Sequence, residues 1–317
     1  MDTVIVSSGG SMTTSARVPP PRHSCATPRS DEQLWELSAG WIAEGLATNE
    51  RVTYFEDGTA DAVLERLVDD HVPVDGALAR GQLEIVPADD TRALLSGPLA
   101  ATRALVRTRI ADALAAGYAG WRMTGQMNHG LQARGGTGLC HYDTALDEEL
   151  TGRPARALCL YDRARYPEST VREMRAAHRH EVDAPSAYDD GLLRITRAGP
   201  GRARLAGEAD HSNHGMIERL LTTVLDEALR SPTGPATVTL DLSSLRFFDV
   251  ATAAALVHAA ADRFPSSHRL VLHGVRPPVL RVLDRCGSPF APQLDVVPRE
   301  NPSEAGTRRF ARARWAG

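Results

Sequence analysis

The chain has 317 residues, enough for two domains with separate cores, and its 42% hydrophobic and 24% charged content is ordinary for a water-soluble protein. A formal charge of −4 offers nucleic acid no global attraction, and no apolar run approaches the ~20 residues needed to span a bilayer. All 36 basic residues are arginine, which excludes Schiff-base lysine chemistry and the phosphate-binding lysine of a P-loop.

Residues 1–22 are rich in Ser, Thr and Pro, end in Pro19-Pro-Pro21, and read as a disordered tail without the basic leader of a signal peptide. Ser30-Asp-Glu-Gln33 is a capping-box pattern, and the helix after it carries the stripe Leu34, Leu37, Trp41, Ile42 and Leu46. Val52 to Phe55 reads as a strand ended by Asp57-Gly58, Ala60 to Val68 as a helix, and Leu83 to Val86 as a second strand. Ala100 to Ala116 is a long helix with Leu105, Ile110 and Leu114 inward, followed by a strand starting at Tyr118. Gly135-Gly-Thr-Gly138 reads as a flexible connection, and Tyr142 to Leu150 as a helix. Ala157-Leu-Cys-Leu-Tyr161 is a strand of buried-type residues, and a further helix ends at His178. Strands alternating with helices argue for an α/β domain whose parallel sheet is covered on both faces.

Four widely spaced cysteines, Cys25, Cys140, Cys159 and Cys286, make no disulfide framework and read as reduced cytoplasmic thiols. Cys25 and Cys159 are candidate soft ligands, with His23 and His178 as candidate imidazole ligands, for a metal, a haem or a redox-active thiol site. A loop carrying His23 and Cys25 beside the C-terminal end of the Cys159 strand would gather them where α/β sheets hold ligands. The same residues equally fit a core thiol and hydrogen-bonded structural histidines. Tyr161, Asp162 and Arg163 follow the strand end and offer polar groups to a small-molecule pocket, or else a strand-terminal salt bridge. His178-Arg-His180 and Cys140-His141 lack partners at zinc-finger spacing, and no cofactor can be named.

Four of these segments occur in the order of a known pattern. His23-Ser-Cys25, the passage from Trp41 through Glu50-Arg-Val-Thr-Tyr54, Cys159-Leu-Tyr-Asp162-Arg and the helix ending at His178 together resemble the MEDS domain, a sensory module of methanogen and methylotroph regulators. The resemblance spans residues 22–181 and implies a RecA/KaiC-like parallel-sheet fold. With no Walker A motif and no lysine, ATP hydrolysis is not expected of it. The first domain is accordingly set at 23–181, followed by a polar linker at 182–191.

In the next domain, set at 192–296, Val238, Leu240 and Leu242 alternate with polar residues as a half-buried strand. Phe247-Phe248 is read as closing the following turn, and Asp249 as the N-cap of a helix carrying Ala253, Leu256, Val257 and Ala260. With Gly207-Glu-Ala-Asp210-His before this segment and Leu270 to Gly287 after it, the region resembles the STAS domain of bacterial anti-sigma-factor antagonists. The resemblance implies a small mixed-sheet α/β fold that binds an anti-sigma factor or another STAS-binding protein. Asp210, Phe248, Asp249, Val250, Ala251 and Thr252 are its implied partner surface. Phosphorylated members carry an acceptor Ser directly after the Asp; here that position is Val250, and Thr252 is expected to bond a backbone carbonyl. Residues 297–317 form an Arg-rich tail with Arg308, Arg309, Arg312, Arg314 and Trp315.

These readings combine into a cytoplasmic signalling regulator in which an unknown small-molecule ligand of the first domain adjusts the STAS output. Neither nucleic acid nor membrane is expected as a direct partner, and oligomerisation is left open. The alternatives are a nucleotide-dependent enzyme, a thiol-dependent one using Cys159 with His23, or a scaffold subunit of a multi-STAS assembly.

Overall fold

Residues 2–5, 22–230 and 237–299 are described by the computed structural model, the side chains of 2–5 and 129–137 apart. The Ser/Thr/Pro-rich run 6–21 and the arginines of the tail lie outside the described residues. The chain divides into two compact units, Met1–Ala184 and Pro185–Gly317.

The first unit runs β1 (Asp2–Ile5), β2 (His23–Ala26), α1 (Asp31–Ala47), β3 (Arg51–Phe55), α2 (Ala60–Asp69), α3 (Val74–Ala79) and β4 (Leu83–Val86). It continues α4 (Ala88–Ser96), α5 (Leu99–Ala115), β5 (Trp121–Gln126), α6 (Asn128–Leu150), β6 (Ala155–Leu160), α7 (Glu168–Ala177) and β7 (His180–Asp183). Its strands form one seven-stranded sheet in the order β1-β7-β2-β6-β5-β3-β4, with every pairing parallel. Successive residues of β6 serve opposite faces. Leu158 and Leu160 pack with Leu37 and Trp41 of α1, whereas Ala157 and Cys159 pack with Tyr142, Leu146, Val171 and Met174 of α6 and α7. This two-sided burial is what a parallel sheet requires.

Ser30 caps α1, its Oγ accepting from the Gln33 N–H at 3.2 Å, while Gln33 Oε1 reaches back to the Arg29 N–H at 2.9 Å. Across α1 lies the fully buried Arg122, bonded to Glu50 at 2.5 Å and Glu44 at 2.9 Å, with its guanidinium 4.5 Å from the Trp41 ring. Gly45 makes room for it: a Cβ there would stand 2.7 Å from both Arg122 Cδ and Val52 Cγ2.

Several expectations are corrected. Residues 2–5, read as part of a disordered tail, form an edge strand paired with β7. His23-Ser-Cys25 is a strand rather than a loop, because β6 and β7 flank it and supply both ladders. Gly135 to Gly138 lies within α6, which begins fourteen residues before Tyr142. The strand expected from Tyr118 starts at Trp121, and Leu114 is 46% exposed instead of inward.

The second unit runs β8 (Tyr188–Asp189), β9 (Leu193–Gly199), β10 (Arg202–Ala209), α8 (His214–Arg230), β11 (Thr237–Asp241), β12 (Leu245–Phe248) and α9 (Val250–Arg263). It closes with β13 (Arg269–Val275), α10 (Pro277–Arg285), a 3-10 turn at Ser288–Phe290 and β14 (Leu294–Pro298). The mixed sheet runs β14-β13-β11-β10-β9-β8, with β12 paired to the end of β10, and β9 is antiparallel to both neighbours. Ile217, Leu221 and Val224 of α8, Leu256 and Ala260 of α9, and Val279 and Leu283 of α10 complete its core. Two corrections fall here. Phe247-Phe248 ends a strand rather than closing a turn, and the stretch read as a linker holds the second half of β7 and all of β8.

Candidate functional site

In the first unit, parallel register sets Cys25 opposite Cys159 and His23 opposite Ala157. The two-residue period of the strands turns all four side chains to the face covered by α6 and α7. There α6 contributes Asp143, and α7 ends at its C-cap residue His178. His23, Asp143, Cys159 and His178 are all buried, and one ligand atom of each lies within 4.8 Å of all the others. His23 Nε2 is 3.4 Å from Cys159 Sγ and 3.1 Å from His178 Nε2, and His178 Nε2 is 3.9 Å from Asp143 Oδ1.

Neighbours stand behind three of the donors. His178 Nδ1 donates to the Met174 carbonyl at 2.7 Å, and His23 Nδ1 faces Asp147 at 3.8 Å. The Tyr161 hydroxyl donates to Asp143 Oδ2 at 2.6 Å, leaving Oδ1 buried and without a hydrogen bond. Burial pushes the Cys159 thiol and the Asp143 carboxyl up, and burial followed by His178 pulls His23 down. Each of these three groups is therefore biased toward its uncharged form.

Of the four residues expected to converge, three do. Cys25 lies on the same face, but its Sγ turns to the His180 carbonyl at 3.8 Å, and burial followed by Glu181 pushes its thiol up to about 12. Asp143 was missed. Its signal is an acid in the register of the apolar stripe Leu139, Tyr142, Leu146 and Leu150.

Tyr161, Asp162 and Arg163 turn to different partners. Tyr161 belongs to the buried cluster, Asp162 accepts from the Ala164 N–H at 2.8 Å and pairs with Arg165 at 3.2 Å, and Arg163 reaches Thr27 at 3.5 Å. At the same sheet edge Asn128 bonds Asp57 at 2.7 Å and Gln126 at 3.2 Å, a network also unforeseen. A crevice beside Cys159, lined by Phe55, Leu95, Met123 and Tyr142, holds about 10 Å³, the space of roughly one water.

In the second unit Asp249 caps α9, its Oδ1 accepting from the Thr252 N–H at 2.7 Å. Val250 is 67% exposed and Ala251 is also exposed, whereas Phe248 and Thr252 are buried and cannot reach a partner directly. Thr252 Oγ1 lies 3.4 Å from His214 Nδ1 instead of bonding a carbonyl. The exposed member of the Phe247-Phe248 pair is Phe247, at 49%. Asp210, half-buried, bonds the N–H and hydroxyl of Ser212, which hold its carboxyl below the usual range. Between α8 and α9 runs a groove of about 320 Å³, floored by Ala251, Ala254 and Ala255 and flanked by His214, Glu218 and His258. Among the described residues no helix is long and apolar enough to cross a membrane.

Residues 22–179 match the family model of MEDS, the MEthanogen/methylotroph, DcmR Sensory domain. Residues 196–288 match that of the Mlab, STAS domain. No curated protein matches the chain.

Proposed function

Because the chain carries a MEDS domain followed by a STAS domain, the architecture of a signalling regulator, we propose that it is a cytoplasmic one whose first domain senses a ligand and whose second binds an anti-sigma factor or related protein. The observation that carries the output half is the start of α9. A capped helix N-terminus presents exposed Val250 and Ala251 beside the α8–α9 groove. The position that carries the acceptor hydroxyl in phosphorylated relatives is an aliphatic side chain, so binding proceeds without a phosphate switch there. Thr252, the nearest hydroxyl, is buried beneath the same turn. Ligand occupancy acts by shifting populations, with no chemical step.

The test is affinity capture from the host with the full chain and with Val250→Glu, a change at an exposed position that leaves the core untouched. The wild type retains a partner that Val250→Glu loses, and phosphopeptide mapping finds residues 250–262 unmodified. An identical set of captured proteins, or stoichiometric phosphate on Thr252, contradicts the reading.

The 3.4 Å approach of His23 to Cys159 favours a second reading, a thiol-dependent enzyme. Against it, the thiol is 1% exposed and burial disfavours the thiolate that such chemistry needs. Rapid alkylation of Cys159 in the folded chain would support the enzyme.

A further inference from the structure

We propose that His23, Asp143, Cys159 and His178 bind one divalent transition-metal ion of the zinc class. The inference deepens the sensory reading of the same domain and rests on it only for its regulatory meaning. Zinc bonds of about 2.0–2.1 Å to nitrogen and 2.3 Å to sulfur imply donor–donor edges of roughly 3.3–3.6 Å in a tetrahedron. The observed 3.1 Å between the two imidazole Nε2 atoms and 3.4 Å from His23 Nε2 to Cys159 Sγ are of that size. Asp143 Oδ1, at 3.9 Å from His178 Nε2, completes the set with a small shift.

The groups behind the donors point the same way. Ligating histidines characteristically donate their other ring N–H to a carbonyl or carboxylate, and ligating carboxylates are themselves hydrogen-bonded. Met174 and Tyr161 hold His178 and Asp143 in those roles, and Asp147 lies 3.8 Å from His23 Nδ1. An independent observation is Asp143 Oδ1, which is buried, meets no hydrogen-bond partner at bonding geometry and stands 3.9 Å from His178 Nε2. A buried acceptor left unmet is costly, and a cation would meet it.

Two imidazoles, a thiolate and one carboxylate form a borderline-soft set that suits zinc, cobalt or iron(II) over magnesium or calcium. A dication with one thiolate and one carboxylate is also electrically neutral, which burial favours. On binding, the Cys159 S–H bond breaks heterolytically, sulfur bonds the metal, and the proton leaves to water; a protonated Asp143 gives up its proton likewise. Nothing is oxidised or reduced. Cys25, turned toward the His180 carbonyl, lies outside the set.

The test uses the full-length chain, stripped with a chelator and dialysed against zinc alone, then against cobalt(II) alone. Elemental analysis is expected to give one metal per chain, with a visible cobalt spectrum carrying a thiolate charge-transfer band. Cys159→Ser loses that band and most of the bound metal, whereas Cys25→Ser keeps both. Folded wild type that holds no zinc, or a cobalt spectrum without the thiolate band, overturns the proposal even if the variants fail to fold. So does loss of metal in Cys25→Ser but not in Cys159→Ser. Metal bound without any effect on partner affinity leaves the site standing and removes the sensory reading instead.

Discussion

His178 Nδ1 donates to the Met174 carbonyl at 2.7 Å, and on the far side of the ring its Nε2 stands 3.1 Å from His23 Nε2. A carbonyl only accepts, so Nδ1 carries a proton. The bond spans the last turn of α7, which means that the end of one helix aims the imidazole at β2 and β6. The cluster is thus held by elements far apart in sequence, and some of its donors have a neighbour whose removal can be measured.

Tyr161→Phe is the mildest such removal. It deletes only the hydroxyl that donates to Asp143 Oδ2 at 2.6 Å. Zinc affinity, measured by competition with a chelator of known strength, should fall on the order of 10–100-fold, as for other outer-shell partners. Unchanged affinity would show that Asp143 is not held for a ligand.

Two glycines of α1 should respond oppositely to alanine. At Gly45 the new Cβ meets Arg122 and Val52 at 2.7 Å, so Gly45→Ala should cost about 1–3 kcal/mol through overpacking. At Gly40 nothing lies within 4 Å, and Gly40→Ala should gain about 0.5–1 kcal/mol from helix propensity. Urea unfolding midpoints of the two variants decide it. A stabilised Gly45→Ala would refute the packing described around Arg122.

Glu149 of α6 meets Arg107 at 2.6 Å, Arg153 at 3.1 Å and Arg103 at 3.2 Å. Chiefly through the Arg107 hydrogen bond, its carboxyl is lowered from 4.5 to about 2. A depressed folded pKa contributes stability that is full above the unfolded value and lost as pH falls through the folded one. The wild type should therefore lose this contribution between about pH 4.5 and 2, and Glu149→Gln should lose less across the same window. Parallel acid-unfolding curves for both proteins would contradict the assignment.

ATP should not raise the melting temperature. The loop between β2 and α1 is Thr27-Pro-Arg-Ser30, with no lysine, and Asp31 and Glu32 occupy the first turn of the helix. Carboxylates there repel the phosphates that a helix N-terminus otherwise welcomes. A shift of several degrees at millimolar ATP would restore the nucleotide-dependent alternative.

Legibility followed locality. The Ser30 and Asp249 caps were readable because each is satisfied within three residues of sequence. β6 was readable from its apolar run alone. β2 was not: His-Ser-Cys-Ala has little strand propensity, and the chain is extended there because β6 and β7 pair with it. The cluster was legible but for one member. Its His and Cys members stand in recognisable motifs, but Asp143 is marked only by its place on a buried helix stripe. Cys25 was misassigned because side-chain rotamers, unlike strand faces, leave no trace in sequence spacing. The Phe247-Phe248 strand forms because it pairs with the end of β10, a partner that no local pattern names.

The most direct measurement of the whole account is the affinity of the captured STAS-domain partner for the full-length chain, zinc-loaded and chelator-stripped, in wild type and in His178→Asn. Coupling of ordinary strength should change the wild-type affinity by about 5–150-fold between the two states and leave His178→Asn insensitive to zinc. Equal affinities of the loaded and stripped wild type would contradict the claim that the first domain controls the second.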